Sequence, residues 1–272
     1  MSACNQNCSS CSQNCGDRKE PQSFLKPMNK YSNIKKVIGV VSGKGGVGKS
    51  LVSCLLASKC AKAGLKVGVL DADITGPSVP KSFGVNSRAM QDEECLLPNV
   101  TKNGIKIMSI NLLLEDVNSP VIWRGPVISG VIEQFWTDVR WGELDYLFVD
   151  MPPGTGDVAL TVFQSLPIDG IVIVSTPQDL VKMIVNKALN MAKMMHIPVL
   201  GLIENMSYFE CPDCGKKLEI FGKSVIDETA AELNLPVLAK LPIQPEINRL
   251  VDEGRIEEAP CKELDEFIDA LK

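Results

Sequence analysis

Residues 43–50 read GKGGVGKS and fill the pattern G-x-x-x-x-G-K-[ST] at every position. The glycines let consecutive backbone N–H groups curl round phosphate oxygens, and a helix opening just after them offers its positive end to the same anion. Gly43, Gly45, Gly46, Val47, Gly48, Lys49, Ser50 and Leu51 are therefore the expected ATP-binding residues. In that geometry Lys49 reaches the β- and γ-phosphates, and the Ser50 hydroxyl coordinates Mg²⁺. Two acidic stations follow. Asp150 closes the apolar run YLFVD, the place for an acid that holds Mg²⁺ through water, and Asp71 and Asp73 close KVGVLDAD. Asp71 and Asp150 are read with Ser50 as the magnesium set, with a helix cap or a solvated turn as the alternative for each acid.

The second chemistry is sulfur. Ten cysteines are many for a chain of 272 residues. In a reducing compartment they point to metal or catalysis before disulfides. Cys211-Pro-Asp-Cys214-Gly has the spacing of a metal knuckle, with Gly215 letting the loop close. Two thiolates are half a site, because tetrahedral Zn²⁺ or a [4Fe–4S] cluster takes four ligands. The simplest completion is a two-fold axis bringing the same pair from a second subunit. A shared structural zinc, a redox dithiol and a metal-free loop remain open on spacing alone. Cys4, Cys8, Cys11 and Cys15 form a candidate second metal site, for a cluster or for zinc, in residues 1–33, a polar stretch with no apolar period. Such a segment is a flexible arm unless metal orders it. Cys54, Cys60, Cys95 and Cys261 read as small apolar fillers.

The elements that must position these groups alternate. KKVIGVV is a buried-strand run, residues 51–63 carry helical periodicity, and Gly64 supplies a stop. Further strands are expected at 146–150, 170–175, 199–204 and 237–240, with helices at 126–139, 158–165, 180–195 and 223–232 and two more near the C-terminus. Cys95–Pro98 and Ile105–Ile110 read as two short strands joined by a hairpin-like turn at Lys102-Asn103-Gly104. Apolar strands alternating with helices predict one α/β domain over residues 34–272, a P-loop NTPase with a mostly parallel sheet covered on both faces.

Composition narrows the function. A net charge of −5 argues against a nucleic-acid groove. No apolar stretch approaches the roughly 20 residues of a membrane span, and no signal peptide is read, so the expected compartment is cytoplasmic. Residues 251–272 hold eight acids against three basic residues, unlike a basic membrane anchor. Trp123 and Trp136 are read as packing at a domain or subunit surface, Met183, Met191, Met194 and Met195 as packing, and His196 as a helix C-terminal contact or a core edge.

SGKGGVGKS at 42–50, DADITGPSVP at 71–80, WRGP at 123–126, WGELDYLFVDMPPGTGD at 141–157 and GLIENMSYFECPDCG at 201–215 together resemble the Mrp/ApbC-like family of iron–sulfur cluster carrier ATPases. This family lies within the deviant Walker A class that includes MinD and the nitrogenase iron protein. The resemblance implies a homodimer in which Lys44 crosses the interface to the partner's nucleotide and Asp73 positions the attacking water, so that Lys44, Lys49 and Asp73 are catalytic. It further implies that Gly154 and Gly156 sense the γ-phosphate, that Asn205 binds the adenine edge, and that Cys211 and Cys214 of two chains hold one cluster destined for apo iron–sulfur proteins. Hydrolysis is expected to be slow. The alternative is a MinD/ParA-like ATP-controlled switch with a structural zinc.

Overall fold

The computed structural model describes residues 24–73, 78–114, 125–154, 156–177 and 181–271. Cys4, Cys8, Cys11, Cys15 and Trp123 lie outside them. The chain runs β1 (Ser32–Val41), α1 (Lys49–Lys62), β2 (Val67–Asp71), α2 (Ser78–Ser82), β3 (Met90–Gln91), β4 (Leu96–Leu97), β5 (Asn99–Val100), β6 (Lys106–Ser109), α3 (Gly125–Thr137), β7 (Gly142–Asp150), α4 (Asp157–Ser165) and β8 (Gly170–Ser175). It continues through α5 (Val181–Met194), β9 (Val199–Glu204), β10 (Phe209–Glu210), β11 (Lys217–Leu218), α6 (Ile226–Leu233), β12 (Val237–Lys240), α7 (Pro245–Asp252) and α8 (Asp265–Leu271). An eight-stranded sheet in the order β12-β9-β8-β1-β7-β2-β6-β5 organises the molecule. Every neighbouring pair is parallel except β5 with β6.

The strands are apolar on both faces because both faces are covered. Along β1, Val37 and Val41 enter one core while Ile38 and Val40 enter the other, and β8 divides Ile171 and Ile173 from Val172 and Val174 in the same way. Helices α3, α4, α5 and α6 cover the first face through residues such as Phe135, Val162, Val185 and Ile226. Helices α1, α7 and α8 cover the second through Val52, Leu55, Leu56, Leu250 and Phe267. Each such fully buried side chain contributes about 2 kcal/mol of transfer free energy, so the sheet is a rigid platform for whatever its strand ends carry.

Three expectations are corrected. The hairpin turn at residues 101–104 is present, closed by the Thr101 N–H to Ile105 O bond and by Gly104 at φ 84°. Its incoming strand, however, is Asn99–Val100, whereas Leu96–Leu97 pairs with Met90–Gln91. Pro98 separates the two pairings, since it has no N–H for a continuous ladder. Trp136 is not at a surface: it is 2% exposed within the first core, where its indole N–H donates to Lys26 O. Met191 is buried as packing requires, but Met183 and Met194 are exposed, on the outer face of α5. His196 is the residue after that helix's last turn, left-handed at φ 56°, with its N–H on Lys193 O.

Candidate functional site

The sheet register assembles the polar groups before any side chain is considered. At the carboxyl ends of the strands Val40 pairs with Asp150, Asp150 with Asp71, and Asp71 with Ser109. Residues 42–48 leave β1 beside this row and turn back into α1, whose preceding residue Gly48 is left-handed at φ 81°. Gly46 is left-handed too, at φ 79°. Only glycine holds such angles without a steric penalty. The loop is tied down on several sides. Ser42 Oγ donates to Lys44 O at 2.9 Å, Gly154 N–H donates to Ser42 O at 3.0 Å, and Asn205 Nδ2 donates to Val47 O at 2.9 Å. Gly43 packs so closely on α5 that a Cβ there would collide with the Ile184 side chain.

Asp150 is fully buried and accepts three hydrogen bonds: Lys49 Nζ at 2.8 Å, Ser50 Oγ at 2.6 Å and Ser53 Oγ at 2.8 Å. Lys49, 5% exposed, also stands 3.4 Å from Asp73, which is partly open to the cleft. Asp71 faces differently. Its carboxylate accepts from Ser109 Oγ at 2.9 Å and from the Asp73 N–H at 3.1 Å. Burial, reinforced by the nearby Asp150 charge, pushes the Asp71 carboxyl well above the usual range, against the hydrogen bonds and Lys49 that pull it down. Asp71 thus braces the turn that presents Asp73.

A cleft of about 460 Å³ overlies the loop, lined by Gly45, Gly48, Lys49, Ser50, Asp73 and Pro153. Leu51 links it to a second pocket of about 240 Å³, whose walls include Leu55, Asn205, Phe221, Pro242 and Gln244. This pocket is apolar, and Gln244 Oε1 is a buried acceptor with no donor among the described residues. Its shape and lining suit a flat base with an amino group, beside a cleft suited to phosphates.

The cysteines occupy the turn of a short hairpin between β10 and β11. Cys211 N–H donates to Lys216 O, and Gly215 N–H returns to Cys211 O at 2.9 Å with Gly215 at φ 67°. The amides of Asp213 and Cys214, then the Cys214 side chain, hold the Cys211 thiol below its ordinary value, as a turn built around a thiolate does. Both residues reach solvent, Cys214 more so. Cys54, Cys60, Cys95 and Cys261 are all buried, and burial pushes the Cys60 and Cys261 thiols up to about 12. Among the described residues no third His, Cys, Asp or Glu joins a metal-sized group with the exposed pair.

The profile of the ParA family, described as NUBPL iron-transfer P-loop NTPases, matches residues 33–271. The chain belongs to this family. An iron–sulfur cluster carrier protein of Clostridium perfringens is 52% identical over 236 residues, covering 84% of this chain and 83% of its own. The nucleotide-binding protein of Archaeoglobus fulgidus, solved in complex with ADP, is similar with a TM-score of 0.78 and 46% identity, over 86% of this chain and 92% of that one. MinD in the MinC:MinD complex of Aquifex aeolicus shares the fold, with a TM-score of 0.60 and 20% identity over 87% and 93% of the two chains.

Within this NUBPL-type NTPase, Lys49, Ser50, Asp73 and the loop glycines line one cleft, with Asp150 buried beneath Lys49 and Ser50 and Asn205 on the adjoining pocket, while neither Cys211 nor Cys214 lines either. Lys44 is half-buried on the loop. Four site residues were not singled out from the sequence: Ser53, Ser109, Phe221 and Gln244. Ser53 alone left a trace, since it follows Lys49 by four residues on α1 and so shares its face.

Proposed function

We propose that this chain is an ATP-hydrolysing carrier of iron–sulfur clusters that works as a homodimer and delivers its cargo to apo iron–sulfur proteins. The observation that carries the reading is the exposed Cys211/Cys214 knuckle, with amides aimed at a sulfur, on the same strand-end platform as a complete P-loop. The family and the name of the Clostridium relative, an iron–sulfur cluster carrier protein, point the same way. Four thiolates come from two copies, and the cluster is cargo held at that junction. The open site and its short hairpin suit release better than permanent retention. Free thiols and a labile cluster both need a reducing compartment, so we assign the protein to the cytoplasm. Among the described residues no helix is long and apolar enough to cross a membrane.

In hydrolysis a water oxygen attacks the γ-phosphorus and the bond to the bridging oxygen of ADP breaks, yielding ADP and phosphate. Lys49 and the loop N–H groups meet the phosphate charge, and Lys44 of the second copy supplies a further cation across the interface. Asp73, beside Lys49 and braced by Asp71, orients the water and takes its proton. Ser50 and Asp150 are the hard oxygen donors that suit Mg²⁺, which when bound neutralises charge on the phosphates. Adenine fits the apolar pocket, with its exocyclic amine a donor for Gln244 Oε1 and Asn205 at its edge.

The test is transfer. Reconstituted protein is mixed with an apo [4Fe–4S] enzyme, with and without MgATP, and the recipient's activity is followed in the presence of an iron chelator. Recovery is expected with the wild type, and Lys49→Ala should hold its cluster while losing the effect of ATP. Recovery no better than free iron and sulfide under chelation would contradict the reading.

A further inference from the structure

The cysteine hairpin and the base pocket share a wall. Glu204, the last residue of β9, is 0% exposed, and its carboxylate accepts from Ser207 Oγ at 2.6 Å and from Ser224 Oγ at 3.0 Å. Ser207 precedes the hairpin and Ser224 follows it, so one buried carboxylate clasps both of its feet. Its neighbour Asn205 bonds the phosphate loop through Val47 O. The entry leg is further zipped to the segment that floors the base pocket: Ser207 N–H donates to Leu241 O at 2.8 Å and Ile243 N–H to Tyr208 O at 2.7 Å. On the exit leg the chain turns at Gly222, φ 92°, whose N–H bonds Glu219 O, and the residue before that glycine is Phe221. Phe221 lines the base pocket with Leu51 and Asn205 and leaves 49% of its surface exposed.

We propose that Phe221 is the stacking wall for the nucleotide base and that base binding, through Phe221 and the Glu204 clasp, positions the Cys211/Cys214 hairpin. This rests on the nucleotide site proposed above and adds to it the part of the nucleotide that speaks to the cysteines. The hairpin itself is two two-residue strands, exposed except for half-buried Phe209, with Lys217 over the Tyr208 ring, so its placement on the domain relies on its feet and on Phe221. A flat base covering the half-exposed ring adds the missing contact and restrains the exit leg. The phosphates act on the other side of Asn205, at the P-loop. Coupling of this kind is reciprocal: whatever orders the cysteines also tightens the base. Phe221 and Glu204 are positioning residues, since neither touches the cluster or the reacting phosphate.

The experiment uses the full chain, metal-free and reduced, and follows iodoacetamide alkylation of the Cys211/Cys214 peptide by mass spectrometry. The ligands are none, Mg-ADP, and Mg-tripolyphosphate, which has phosphates and no base; binding of each is measured by calorimetry. Mg-ADP is expected to slow alkylation several-fold and tripolyphosphate to leave it unchanged. Phe221→Ala is expected to weaken ADP about tenfold, as loss of a stacked aromatic does, to abolish the protection, and to bind tripolyphosphate like the wild type, which also shows that the P-loop is folded. Glu204→Ala should lose the protection and Glu204→Gln should recover most of it. Equal protection by ADP and tripolyphosphate, or protection that survives Phe221→Ala, would overturn the coupling. Failure of the wild type to bind ADP at all would instead remove the nucleotide site on which it rests.

Discussion

Lys49, Asp73, Asp150 and Asp71 form one buried charge system in which each member has a separate duty. Lys49 is held between two carboxylates at 2.8 and 3.4 Å. Breaking a buried pair by removing one partner costs about 3–5 kcal/mol, so a nucleotide phosphate that recruits this ammonium must itself replace the lost charge contact. Burial displaces the protonation of Asp71. Because burial and the Asp150 charge raise its pKa in the folded protein, the native state keeps a proton that the unfolded chain has already released. Its contribution to stability is therefore fully present below the ordinary carboxylate pKa and is lost as pH rises through the folded value. Asp71→Asn removes that dependence while keeping an acceptor for the Asp73 amide and turning its NH2 to Ser109 Oγ. Urea unfolding of both proteins from pH 4 to pH 8 should show the variant gaining on the wild type as pH rises; a pH-independent difference would contradict the assignment. Lys49, Ser50, Asp73 and Asp150 were legible in the sequence because a local pattern or a strand end marks each. Ser53, Ser109 and the full duty of Asp71 were not, since their partners lie 38 to 97 residues away and are met through sheet register and the packing of α1 on the sheet.

At the scale of elements, the P-loop is a strand-to-helix turn braced by a third strand end. Gly48 is the point where the brace meets the loop: it is left-handed, and a Cβ there would strike Asn205 Nδ2. Gly48→Ala therefore combines backbone strain of about 1–2 kcal/mol with loss of the Asn205–Val47 hydrogen bond, about 1 kcal/mol. The expected outcome is a destabilisation of about 2–3 kcal/mol with loss of ADP binding by calorimetry, whereas Gly64→Ala, in open space after α1, should keep ADP affinity despite its strained φ of 87°. Equal ADP affinity for Gly48→Ala and the wild type would show that the loop does not need this geometry. Most element types were readable from periodicity. The hairpin near residue 100 was mispaired because two-residue strands carry no periodic signal, and Pro98 alone marked the break.

For the whole molecule, both chemistries sit beyond the carboxyl ends of the parallel strands. Strand ends carry the phosphate loop and its acids, and the chain leaving β9 carries the cysteine hairpin, so both groups share a platform. The fold and the phosphate loop could be read from one chain because the strands, the loop and α1 all lie within it. The cysteine site could be read only as a half: among the described residues Cys211 and Cys214 have no further ligand beside them, and in the proposed carrier the rest come from a second copy. The measurement that bears most directly on the carrier reading is iron and sulfide per dimer after anaerobic reconstitution, with zinc and native mass determined on the same samples, for the wild type and for Cys211→Ala/Cys214→Ala. The account predicts that the wild type is a cluster-bearing dimer and that the variant loses about one cluster per dimer, any remaining iron belonging to Cys4, Cys8, Cys11 and Cys15. A wild type that takes up no iron and instead holds zinc that the variant lacks would contradict it, and would make the protein an ATP-controlled switch clipped by a structural metal.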